Sequence, residues 1–477
     1  MGLKKNISYS VILTLSTYLV PLFVYPYVTR VLGPAGIGYV DKVDSLIDYC
    51  VLFSMMGLTT IGIREVARCR SDKAQLQKTF SSLFALNLLS TAVVLAVLGV
   101  LVLTVPSFHD RSRMFLIGMT KIVSNLFWIE WFYKGLENFR YITIRSVILR
   151  LLFIAAVYLF VKEETDVMVY YILWVGLTFG NAVCNWSYKN RFTRFSLRDV
   201  SLADVWKPVV LIGLFAVFSA IYTKLNVFFL GEKCGDTQVG YYTASTRLYS
   251  VLIALFTSVT SVMIPRMSVL LKEGQMQEVR SLTTKTFSLL FMFAFPVLIF
   301  FELFAPEFIM LFTGMDFRFA GAVIPMRIVM CQLFVIGSEQ IFILQLLVPS
   351  GHDRHAVLCA IAGALVCVVA NILLLPGMGA VGSAIAWVSA ECTVLVIASV
   401  FVKKFLSIEY PFRLLLKNLL WSVPYLLLGV SVLLLVKAPL MRLGCGAVLF
   451  SIWFLLVEEK VLKLGILGMV LSKLKKD

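Results

Sequence analysis

The sequence predicts an all-α integral membrane protein, and three observations predict it. Of 477 residues, 60% are hydrophobic and only 15% are charged. A soluble domain carries about 25% charged residues and needs polar side chains to cover its surface. The apolar residues also fall in long runs separated by short charged clusters. A helix of about 20 apolar residues crosses the hydrocarbon core, so these runs read as spans facing lipid.

Fourteen runs qualify: 9–31, 41–62, 80–104, 114–132, 143–161, 167–187, 208–230, 239–264, 286–304, 320–347, 356–376, 379–402, 418–436 and 441–457. The first follows MGLKK and begins like a signal peptide. It runs from Tyr9 to Val31, too long for that role, and no small-residue cleavage site follows. It therefore reads as a retained span. The second, fourth and tenth runs carry charges, and the eleventh and twelfth nearly fuse around LLLPGMGAVG. Pro21, Pro26, Pro265, Pro296 and Pro424 lie in or beside spans. Each removes a backbone donor and bends its helix, either as a static kink or as part of a moving element.

The formal net charge is +16. In a soluble chain this would suggest nucleic acid. Here Lys and Arg sit mostly in the loops, and one set of alternate loops holds more than three times as many as the other. The bias orients the chain with both termini in the cytoplasm, and no nucleic-acid partner is expected. The loops are too short for a soluble catalytic domain, and no GxxxxGK[ST] sequence is present. The chain is thus expected to be neither an ATPase nor any other enzyme. The nine cysteines are scattered without CxxC spacing, and His352 and His355 share only the polar stretch SGHDRH. No disulfide, metal or cofactor is expected.

Two segments echo each other. Gly36-Ile37-Gly38-Tyr39 follows the first span, and Gln238-Val239-Gly240-Tyr241 follows the seventh. A weaker echo joins GLENFR before span five to SGHDRH before span eleven. Both offsets are six spans, an even number, so the halves point the same way. The expected architecture is two parallel six-helix lobes, 1–207 and 208–402, related by a pseudo-two-fold axis along the membrane normal. A terminal helix pair, 403–477, completes it. In such folds the substrate site lies between the lobes, and their rocking gives alternating access.

Charges inside the membrane mark cavities or paired partners. Asp41, Asp44 and Asp48 are spaced by three and four, so they share a helix face. They are either a proton or cation site, with Asp44 and Asp48 as coupling candidates, or partners for Lys and Arg on neighbouring helices. Lys121, Lys224 and Arg247 could line a cationic cavity for an anionic substrate. Lys121 and Lys224 could instead snorkel to an interface. Glu130, Arg150, Arg327, Glu339 and Glu391 are further intramembrane charges, and Glu302 and Arg30 lie near span ends. Glu391 has no evident local partner.

These motifs resemble a known family. TRVLG through GIGY, MMGLTTIGIREVARCRSDK, VGYYTASTRL, IPRMSVL, SGHDRH and LLLPGMGAVGSAIA together are similar to the Wzx-type O-antigen and capsule flippases of the MOP exporter superfamily. The resemblance covers the whole chain. It implies a substrate: an undecaprenyl-pyrophosphate-linked oligosaccharide, turned from the cytoplasmic to the periplasmic face of the bacterial inner membrane. By the same resemblance to lipid II flippases, Arg30 and Arg247 match arginines that line the cavity. Lys121 and Lys224 would be secondary contacts. Many relatives carry an acidic residue in span seven where this chain has Asn226. Expected partners are the lipid-linked substrate, membrane lipid, and the polysaccharide polymerase and chain-length machinery. Two rival readings are an ion-coupled multidrug exporter of the same superfamily and a membrane glycan polymerase or ligase. The intramembrane basic residues disfavour the first and the short outer loops the second.

Overall fold

The computed structural model describes residues 9, 12–14, 16–203 and 205–457. The MGLKK start and the tail beyond Val457, assigned above to the first span's entry and the terminal region, lie outside the described residues. Helices dominate, and no strand occurs among the described residues.

Nine helical stretches among the described residues are long and apolar enough to cross a bilayer. Two of them are double. Val20–Cys69 covers 50 residues and Asp353–Leu406 covers 54. Gly33, with φ +67°, bends the first between predicted spans one and two. Gly379, with φ +53°, bends the second, at the point where spans eleven and twelve nearly fuse in sequence. Both positions need a left-handed backbone, which glycine supplies without steric cost. The seventh predicted span is broken differently. Trp206–Ala220 passes through a π-helical turn, Ile221–Leu225, into Asn226–Cys234. The tenth ends in a second such turn, Ile341–Leu347. Pro21 lies in a third, Val20–Val24.

The outer faces are apolar. Leu103 is 78% exposed and Leu435 is 82% exposed, with many Val, Ile and Phe alongside. A soluble monomer does not leave continuous apolar surface on this scale, whereas a multi-pass membrane protein presents it to lipid. All nine cysteines are free.

The chain divides into two compact units. The first comprises residues 1–243, 313–319 and 363–387. Its core is aromatic: Phe80, Trp131, Phe132 and Tyr133 are buried together with Leu83 and Ile142. The helices Leu58–Cys69, Lys73–Thr104 and Glu130–Gly135 pack around this core. Within the same unit, the echoing segments meet directly, Gly38 against Asp236 and Gly240. The second unit comprises 244–312, 320–362 and 388–477. There Phe304, Val432 and Leu443 are buried against Phe300 and Leu449.

Candidate substrate and ion-coupling site

Four of the charged residues singled out in the sequence come together in the first unit. Asp44 and Asp48 lie one helical turn apart on Tyr25–Met55. Lys121 projects from Ser112–Trp128, and its Nζ lies 2.6 Å from Asp44 Oδ1 and 2.8 Å from Asp48 Oδ1. Lys224 Nζ lies 2.7 Å from Asp48 Oδ2. Lys224 sits in the π-helical turn Ile221–Leu225. An extra residue in the turn re-aims side chains, and such turns recur at functional sites.

Two further residues complete the cluster. Trp174 Nε1 donates to Asp44 Oδ2 at 3.0 Å, and Tyr171 OH donates to Asp44 Oδ1 at 3.3 Å. Both belong to Val167–Lys189. Their spacing of three places them on one helix face, the only sequence signal that could have nominated them.

Two aspartates and two lysines balance in charge, as buried ions must. The four are not equally buried. The side chain of Lys121 is 11% exposed, Asp44 13%, Asp48 29% and Lys224 48%. The charges thus run from an enclosed interior pair to an ammonium that is half open. Asp44 is spent on Lys121, Trp174 and Tyr171, while Lys224 has Asp48 as its ion-pair partner. The pairing reading of Asp44 and Asp48 is therefore realised, with Lys121 and Lys224 as the partners.

Arg30 takes no part in these contacts. Arg30 is exposed, and its carbonyl accepts from Arg318 Nη2 at 2.9 Å. Arg318 also pairs with Glu164 at 2.6 Å and Asp316 at 2.9 Å. Arg247 is half-buried on Asp236–Lys272, in the second unit. Asn226 is fully buried, donating to Tyr242 OH at 3.0 Å and to the Ser383 carbonyl at 3.2 Å. Its amide is committed to holding helices together.

Several of the other intramembrane charges also find partners. Glu130 pairs with Lys134 at 2.8 Å and Arg145 at 3.3 Å, and Arg145 also contacts Asn185. Arg150 reaches Ser16. Arg327 Nε donates to the Glu302 carbonyl at 3.1 Å. Glu391 is buried on Asp353–Leu406, within the second unit. No group of three or more metal-ligating side chains occurs among the described residues.

Comparison with known proteins places this geometry in context. Residues 3–271 match the family model described as polysaccharide biosynthesis protein. An Escherichia coli (strain K12) protein named as an O-antigen transporter is 24% identical over 420 residues, 84% of this chain and 97% of its own length. A Shigella dysenteriae protein of the same name is 24% identical over 273 residues, 56% of this chain and 67% of its own. Among solved structures, the lipid II flippase MurJ in an inward closed conformation superposes with a TM-score of 0.76 at 13% identity, covering 96% of this chain and 100% of that one. An inward-facing multidrug resistance MATE family transporter of the MOP superfamily gives 0.64 at 14% identity, covering 84% and 98%. The fold is that of the MOP transporters. The relatives and neighbours are named as transporters, consistent with a chain that is not an enzyme.

Proposed function

Because the chain belongs to the polysaccharide biosynthesis protein family, we propose that it is a flippase for lipid-linked oligosaccharides. It turns undecaprenyl-pyrophosphate-linked repeat units from the cytoplasmic to the periplasmic face of the bacterial inner membrane by alternating access. Fourteen spans carry this out, as lobes 1–207 and 208–402 with a terminal pair in 403–477 and both termini in the cytoplasm. The loop charge bias supports the orientation. The contact of Gly38 with Gly240, equivalent positions of the repeat, supports the two-fold relation, since an axis between halves brings equivalents together.

The single observation that carries the reading is the graded ion cluster. Lys224 is half open and paired with Asp48. A diphosphate offers several charged oxygens and competes for that ammonium with charge-assisted hydrogen bonds. As Lys224 turns to the substrate, Asp48 loses a partner, and the Asp44–Asp48–Lys121 remainder becomes net negative. That remainder then takes up a proton or cation, which couples substrate to ion. Lys224 and Lys121 are thus substrate contacts, Asp44 and Asp48 coupling residues, and Arg30 and Arg247 further anion contacts. Exported units pass to the polymerase and chain-length machinery.

The test is surface glycan in a deletion strain complemented with Lys224→Ala or Arg247→Ala. Loss of glycan with accumulation of cytoplasmic-facing lipid-linked units is expected. Normal glycan at normal protein level overturns the roles given to these residues. Asp44 and Asp48 favour one alternative, an ion-coupled exporter of cationic drugs, since carboxylates suit such cargo. Drug sensitivity on deletion, without a glycan defect, would decide for it.

A further inference from the structure

A second charged feature of the first unit takes no part in the ion cluster. A cleft of about 320 Å³ opens between Leu58–Cys69, the start of Lys73–Thr104 and residues 201–208. That volume is at the lower end of small-molecule sites, about 300–1,000 Å³. Arg64, Arg68 and Lys78 line it, with Glu65 as the one carboxylate among the lining residues.

The cations are short of partners. Glu65 accepts from Arg64 Nε at 2.9 Å and from Arg68 Nη1 at 3.2 Å, so one carboxylate serves two guanidiniums. Each guanidinium has five N–H donors, and most remain open. The ammonium of Lys78 has no ion pair among the described residues. Nearby carboxylates are committed elsewhere: Asp72 caps Ala74 and Gln75, and Asp199 accepts from Gln77 at 2.8 Å.

The floor is held in place. Ser82 is buried, donates to the Lys78 carbonyl at 2.9 Å and accepts from the Ser201 nitrogen at 2.9 Å. Beside the cations, the lining includes Ile61, Val205 and Pro208. Cations with vacant donors next to an apolar wall match the junction between a phosphate and a lipid chain.

We propose that this cleft binds the phosphate ester of a membrane lipid at the cytoplasmic face, ahead of the ion cluster in the substrate's path. The site rests on the orientation proposed above, and its ordering before the cluster rests on the flippase reading. Three cations against one carboxylate select multiply charged headgroups, diphosphates over singly charged phospholipids and both over zwitterions.

The test uses the full-length protein purified in detergent, with retained lipid counted by native mass spectrometry. The probes are undecaprenyl diphosphate, phosphatidylglycerol, phosphatidylcholine and inorganic pyrophosphate. Wild-type protein should retain the first two over phosphatidylcholine. Lys78→Gln and Arg64→Gln should each lower retention about tenfold, the usual worth of one charge-assisted contact. Arg70→Gln is the control, because Arg70 is paired with Glu137 and does not line the cleft. Melting temperatures report whether the variants fold. Equal retention by wild type and both cleft variants overturns the site. Pyrophosphate binding that the variants abolish, without lipid retention, upholds the anion site and overturns the lipid source. Surface glycan is measured in parallel, so a failed transport reading is separable from a failed cleft.

Discussion

Gly38 and Gly240 meet backbone against backbone. A Cβ on Gly38 would stand 1.7 Å from the Asp236 carbonyl oxygen and 2.8 Å from the Gly240 nitrogen. A Cβ on Gly240 would stand 2.1 Å from the Pro34 carbonyl oxygen. The neighbours are main chain, so no side chain can swing aside.

Alanine at either position should therefore separate the two segments. Gly38→Ala and Gly240→Ala are each expected to lower folded yield and surface glycan severely. Gly99→Ala and Gly176→Ala should be silent, because nothing lies within 4 Å of either added methyl. Fluorescence-detected size exclusion and glycan staining give both readouts. Wild-type behaviour of Gly38→Ala would show that the approach relaxes at no cost.

Removing Lys121 strands the Asp44 carboxylate in the membrane and leaves Asp48 with Lys224 alone. Lys121→Met should cost on the order of 3–5 kcal/mol, the usual penalty for breaking a buried pair. Adding Asp44→Asn should restore much of the melting temperature, since Asp48 keeps Lys224. Transport should stay lost in the double variant. Recovery of both stability and transport would remove the cluster from the mechanism.

The second unit carries a comparable pair. Arg442 Nη1 donates to Glu307 Oε1 at 2.9 Å, and the glutamate side chain is 6% exposed. Arg442→Met should destabilise by about 3 kcal/mol, and Arg442→Met with Glu307→Gln should regain most of it. Thermal unfolding in one detergent compares all three proteins. An unchanged melting temperature in the single variant would contradict the pairing.

One loop gives a pH signature. Asp166 Oδ2 accepts from the backbone nitrogens of Lys162 and Glu163 at 2.8 and 2.9 Å. These donors hold its carboxyl below the usual value. A depressed folded-state pKa contributes stability above the unfolded value, about 3.9, that is lost as pH falls through the folded one. The melting temperature of wild type should exceed that of Asp166→Asn at pH 7, and the gap should close below about pH 4. A gap independent of pH would mean that the carboxylate charge plays no part.

The membrane class and helical type were legible in the sequence because both depend on local composition. Twenty apolar residues in a row have one stable state in lipid, a helix with every backbone group paired. The break between spans eleven and twelve was legible only as a near-fusion, and the structure places it at Gly379 through a left-handed φ. Asp44, Asp48, Lys121 and Lys224 could be nominated one by one, since an intramembrane charge stands out in any apolar run. Their union could not be read. It depends on which helix faces which, and on a π-helical turn at Ile221–Leu225 that no residue type announces. Tyr171 and Trp174 look like ordinary interface aromatics until Asp44 is seen between them and Lys121. Glu130 shows the same limit, because one of its partners, Arg145, sits on another helix. Sequence by itself determined that charges lie in the membrane. Tertiary structure decided which of them neutralise each other, because pairing is a matter of ångströms between helices and not of order along the chain.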